Sequence, residues 1–145
     1  MSKKLKILIS YKKIDQWFAN EVVNYLKKYH SIEFDILFDE LNIVPGDSLN
    51  KEITSMLDSY DKSIMIWTPD YFEEIGWAQI EKNTIMRQRI YDGKRFVPII
   101  LRGDRSIIPS IFQDYVPADF INYGINRSQE IFNKKMLEVI KGLRK

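Results

Sequence analysis

A chain of 145 residues, 45% hydrophobic and 29% charged, has the length and apolar content of one packed domain, which excludes a disordered chain. Its 22 basic and 20 acidic residues are interspersed and leave a formal net charge of +2, so binding nucleic acid by phosphate neutralisation is excluded. No apolar run approaches the roughly 18 residues of a membrane span, and the amino terminus lacks a signal-peptide core, so the reading is a cytoplasmic protein without membrane contact.

The elements follow from hydrophobic periodicity. Leu5-Lys6-Ile7-Leu8-Ile9-Ser10 reads as a first strand. Residues 14–29 read as a helix, with Trp17, Phe18, Val22, Tyr25, Leu26 and Tyr29 recurring at spacings of three and four. Phe34-Asp35-Ile36-Leu37-Phe38 is a second strand. A polar loop leads to the turn Pro45-Gly46-Asp47-Ser48 and a helix over 49–57. Ser63-Ile64-Met65-Ile66-Trp67 reads as a third strand, apolar on both faces and therefore central.

Thr68-Pro69-Asp70 opens a helix: a hydroxyl at the N-cap, proline at the first turn, then an acid. Gly76 interrupts it before a longer helix over 77–90. Phe96-Val97-Pro98-Ile99-Ile100-Leu101 is a fourth strand, whose proline suits a place near an edge. A weak helix over 107–115, a short strand over 120–123 and a final helix over 128–143 complete the reading. The chain is expected to be one domain, residues 1–145. Its basic end, without a clear stop, fits either a complete small protein or a domain of a longer one.

Five strands alternating with helices, none joined by a two-residue hairpin, imply an α/β fold: a flavodoxin-like open parallel sheet of order 2-1-3-4-5 with helices on both faces. Ligands of such sheets bind beyond the carboxyl ends of the strands. That edge carries Ser10-Tyr11-Lys12-Lys13, then Phe38-Asp39-Glu40, then Thr68, then Arg102-Gly103-Asp104. A phosphorelay receiver shares the topology but needs paired acids after the first strand to hold magnesium, where this chain has Tyr11 and two lysines.

Absent residues narrow the chemistry. With no cysteine there is no thiolate nucleophile, disulfide or cysteine zinc site, and the single histidine, His30, excludes a paired-histidine metal site. His30 stands where the first helix stops, the position of an ordinary surface histidine. The glycines form neither phosphate-binding fingerprint. No metal or cofactor is expected. In the helix opening at Trp77, Glu81 lies one turn from Trp77 and one turn from Ile85, with no lysine four residues away to neutralise it. By pattern alone Glu81 is still an ordinary exposed glutamate, Trp77 a core residue, and Lys12 and Lys13 solvated loop charges.

The motifs together resemble the TIR (Toll/interleukin-1 receptor) domain along essentially the whole chain. They are Leu8-Ile9-Ser10-Tyr11 with Asp15 four positions on, and Phe38-Asp39 leading to Pro45-Gly46-Asp47-Ser48-Leu49. Thr68-Pro69-Asp70-Tyr71 then precedes Trp77-Ala78-Gln79-Ile80-Glu81, and Val97-Pro98-Ile99-Ile100 follows. Tyr11-Lys12-Lys13 is similar to the Tyr-Arg-Arg of the animal axon-degeneration TIR enzyme. Two departures stand out: Thr68 and Glu74-Ile75-Gly76 where many members carry serine, and one extra residue between Pro69 and Trp77.

The resemblance implies one of two roles. Receptor and adaptor members only assemble. The NAD-cleaving branch, bacterial members included, carries a glutamate four residues after a tryptophan, here Glu81 after Trp77. On that implication NAD+ is a substrate rather than a cofactor, and Glu81 is catalytic. Ser10, Tyr11, Lys12, Lys13, Phe38, Asp39 and Trp77 bind substrate, and the loop with Ile43, Pro45 and Gly46 mediates homotypic TIR–TIR assembly. Antiphage signalling, with a fused or separate sensor or effector domain, is the implied setting. The alternatives are a non-catalytic TIR assembly module and, less well supported by the motifs, another flavodoxin-like ligand binder.

Overall fold

The structure, a computed structural model, describes residues 4–40, 60–73 and 96–145, with the backbone alone for residues 37–40 and for Ile111. The expected helices over 49–57 and 77–90 lie outside the described residues. Five parallel strands form one sheet in the order β2-β1-β3-β4-β5. They are β1 Leu5–Tyr11, β2 Phe34–Glu40, β3 Lys62–Trp67, β4 Phe96–Ile100 and β5 Ala118–Asp119. The helices are α1 Gln16–His30, α2 Pro69–Glu73, α3 Ile121–Asn126 and α4 Gln129–Arg144. The expected order 2-1-3-4-5 is the order observed.

Side-chain alternation along the strands sorts the core into two layers. Ile7, Ile9 and Tyr11 of β1, Ile64 and Ile66 of β3, and Ile99 with Leu101 at the end of β4 meet the apolar faces of α1, α3 and α4. Phe18, Val22 and Leu26 come from α1, and Phe132, Met136, Val139 and Leu143 from α4. On the other side Leu8, Met65, Trp67, Phe96 and Ile100 pack with Tyr71 and Phe72 of α2 and with Phe112. Leu26 and Ile64 are fully buried. Each such side chain contributes about 1.5–3 kcal/mol of transfer free energy.

β3 pairs with β1 on one side and β4 on the other, as its two apolar faces required. Pro98 sits in β4 just before the two-residue ladder with β5, so its missing N–H costs that edge nothing. Ser128 caps α4, its hydroxyl accepting from the Ile131 N–H at 3.4 Å. Among the described residues, no helix is long and apolar enough to cross a membrane.

Two expectations are corrected. The weak helix over 107–115 is instead two 3-10 turns, Arg105–Ile107 and Ser110–Phe112. Pro109 explains the break, since the residue before a proline is pushed out of the helical region, and Ile108 is extended at φ −79°, ψ 120°. The strand expected over 120–123 ends at Asp119, whose carboxylate accepts from the Ile121 N–H at 2.9 Å and starts α3. An apolar run too short to show a period reads equally as strand or helix.

Candidate site at the carboxyl edge of the sheet

The carboxyl ends of β1, β2, β3 and β4 converge on one edge. Register fixes their heights: Ser10 pairs with Asp39 of β2 and with Met65 of β3, and Met65 pairs with Pro98. Phe38 and Asp39 therefore lie beside Ile9 and Ser10 in the backbone. Their side chains, like Trp77, Glu81, Ile43, Pro45 and Gly46, lie outside what is described.

Ser10 and Tyr11 are both buried, and on opposite faces. Ser10 Oγ lies 2.7 Å from the Tyr71 hydroxyl beneath α2. The Tyr71 N–H donates to Thr68 Oγ1 at 3.1 Å, so the expected N-cap is in place. Burial pushes the Tyr71 phenol well above the ordinary tyrosine range, against the opposing hydrogen bond from Ser10. Tyr11, at the parity of Ile7 and Ile9, is 4% exposed and packs in the core with α1. Its ring is a core member rather than a face offered at the edge.

Beyond β1 the chain makes a 3-10 turn, Lys13–Asp15, closed by the Asp15 N–H donating to the Lys12 carbonyl at 2.8 Å. Lys12 is half-buried and Lys13 exposed. Asp15 is 1% exposed and accepts from both terminal guanidinium nitrogens of Arg102, Nη1 at 2.6 Å and Nη2 at 3.1 Å. Arg102 follows β4, so this fork joins the ends of β1 and β4 across the width of β3.

The backbone turns away directly after Arg102. Gly103 has φ +91°, and Asp104 accepts from the Ser106 N–H at 2.8 Å. The sequence placed Asp15 in a motif and Arg102 at the edge without joining them. Two opposite charges at one edge were the available signal. Their separation of 87 residues removes them from any local spacing rule.

A second polar group lies where α1 meets α3. The Tyr123 hydroxyl donates to Glu21 Oε2, and the Arg127 guanidinium stacks 3.9 Å from the Trp17 ring centre. Partial burial holds the Glu21 carboxyl above its ordinary range, and the charge of Arg127 partly offsets this.

The fold recurs in known proteins. A metazoan TIR-STING receptor from C. gigas is 16% identical with a TM-score of 0.57, over 96% of this chain and 40% of that one. The TIR domain of the Toll-related receptor TRR-2 from Hydra magnipapillata is also 16% identical, with a TM-score of 0.50, over 92% of this chain and 96% of that one. At such identity these structures show a shared fold, and the chain spans about two-fifths of the first. Comparison with curated proteins gave no match. The family model described as TIR domain matches residues 7–135, nearly the whole length, and the chain belongs to the TIR domain family.

Proposed function

We propose that the chain is a TIR-type NAD+ nucleosidase, cleaving the bond between nicotinamide and ribose. The observation that carries this reading is Glu81 four residues after Trp77 in the segment following β3, the spacing of the NAD-cleaving branch it resembles. Glycosidases ordinarily use two carboxyl groups because an alkoxide leaving group must be protonated. Nicotinamide departs neutral from a cationic pyridinium, so a single carboxylate suffices. That carboxylate holds ribose hydroxyls and stabilises the oxocarbenium-like transition state. A chain with one histidine and no cysteine has the residues this requires.

Lys12 and Lys13, at the carboxyl edge, are suited to the diphosphate. Nicotinamide leaves, and the ribosyl cation is captured either by water, which loses a proton to give ADP-ribose, or by the adenine of the same molecule, which gives a cyclic form. The setting is cytoplasmic antiphage signalling, with activity arising in homotypic assemblies. The test is chromatography of NAD+ incubated with concentrated protein, comparing wild type with Glu81→Gln. Loss of about two to three powers of ten in rate is expected for removal of a main electrostatic stabiliser. A well-folded Glu81→Gln protein that still cleaves NAD+ would remove Glu81 from the reaction. A wild type that cleaves none under any concentration would leave the assembly module as the role.

A further inference from the structure

We propose that Asp15 and Arg102 are a positioning pair, fastening the turn after β1 to the end of β4 so that Lys12 and Lys13 stand correctly toward the diphosphate of a bound dinucleotide. This rests on the nucleotide reading above. Asp15 occupies the N-cap position of α1, where an aspartate ordinarily accepts from the backbone N–H groups of the first turn. It makes no such bond. Both carboxylate oxygens go instead to Arg102, across the strand that separates β1 from β4.

A carboxylate this buried repays little in net stability, because desolvation offsets the attraction, whereas the fork holds its two anchors in one geometry. The same residue's N–H closes the turn onto the Lys12 carbonyl, so displacing Asp15 displaces the lysine backbone with it. Gly103, with its positive φ, turns the chain immediately after Arg102.

The test uses the full chain and two readouts. ADP-ribose, which carries the diphosphate but no scissile bond, is titrated by calorimetry, and NAD+ turnover is resolved into KM and kcat. Arg102→Lys keeps the charge but cannot form the fork. It is expected to raise both the ADP-ribose Kd and the KM by about tenfold while kcat stays within about twofold, the signature of uniform binding loss. Lys12→Ala with Lys13→Ala should raise Kd similarly. Adding Arg102→Lys to that pair should bring little further loss, because the three act as a unit.

Losses that multiply, or an Arg102→Lys protein with the wild-type Kd and only a lowered unfolding midpoint, would overturn the proposal. Where Arg102→Lys does not fold, Asp15→Asn, which keeps one acceptor oxygen, carries the same comparison. A wild type that binds ADP-ribose yet cleaves no NAD+ defeats the catalytic reading alone, and the Kd series still decides the pair. A wild type that binds no ADP-ribose overturns the pair.

Discussion

The hydroxyl of Ser10, at the carboxyl end of β1, lies 2.7 Å from the hydroxyl of Tyr71 in the first turn of α2, and both side chains are buried. This bond crosses from the sheet to the helix that leads toward Trp77. Removing one partner leaves a polar atom in an apolar layer, whereas removing both leaves none. Tyr71→Phe is therefore expected to cost about 1–3 kcal/mol by denaturant unfolding. The double variant Ser10→Ala, Tyr71→Phe should lie clearly above the sum of the two single losses. Simple additivity would show that the hydroxyls do not cooperate.

The same phenol predicts an alkaline limit. Its folded pKa is raised above the ordinary value of 10 by burial, so its contribution to stability is complete below that value. The contribution is lost as pH rises from there toward the folded pKa, since only the unfolded chain ionises readily. The unfolding midpoint of wild type should fall more steeply above pH 10 than that of Tyr71→Phe. Parallel curves for the two proteins would contradict the burial argument.

Glu21 shows the same sign at acid pH. Its carboxyl is raised from 4.5, chiefly by burial, with Arg127 pulling the other way. The stability it confers is complete below the unfolded value and is lost as pH rises through the folded one. Glu21→Gln keeps an acceptor for the Tyr123 hydroxyl and removes the titration. Relative to wild type, that variant should fare better at pH 7 than at pH 4 in paired melts. The reverse order would mean that the charge of Arg127, rather than burial, governs Glu21.

Gly103 tests the turn behind Arg102. Its φ of +91° disfavours any L side chain, and a Cβ there would come within 2.8 Å of Ile107 Cδ1. Gly103→Ala should cost about 1–2 kcal/mol from the backbone alone. Gly103→Ala with Ile107→Ala separates the terms: it relieves the clash but not the backbone strain, apart from the cost of truncating Ile107 measured in the single variant. A Gly103→Ala protein as stable as wild type would show that the turn adapts.

Legibility in this sequence followed the range of the interactions. β3 was readable because Ile64, Met65, Ile66 and Trp67 are apolar on both faces, and a doubly covered strand must be central. The start of α2 was readable because Thr68, Pro69 and Asp70 each satisfy a local rule for a helix amino end. Ile107–Tyr115 misled because its apolar spacing suits a helix, while Pro109 imposes an extended residue before it. Phe120 misled because an Asp119 side chain, not a hydrophobic period, starts α3. At the site, Tyr11 was expected, on the resemblance, among the substrate-binding residues. Tyr11 shares its strand parity with Ile7 and Ile9, and the helices packed over that face take its ring into the core. The Asp15–Arg102 fork obeys no local rule at all, since it exists only once β1 and β4 are parallel and one strand apart.

Under the nucleosidase reading, assembly would show in the dependence of rate on protein concentration. The segment carrying Leu41, Ile43, Val44, Pro45 and Gly46 combines three apolar residues with a Pro-Gly pair, a composition suited to contact with a neighbouring copy. Such residues serve equally well folded onto their own domain. The two cases differ in how rate depends on concentration. If the competent form is an assembly, only a fraction of dilute protein occupies it, and the apparent activity is scaled by that fraction. Specific activity per protomer should then climb as protein concentration rises or as a crowding agent is added. Ile43→Asp would place a charge in such a contact, and Pro45→Ala removes a residue that pre-sets a turn, so each should flatten the climb while the unfolding midpoint of the dilute protein stays near that of wild type. A variant that loses both activity and midpoint has lost its fold instead. Specific activity that is high and constant down to nanomolar protein would assign the whole site to one copy of the chain.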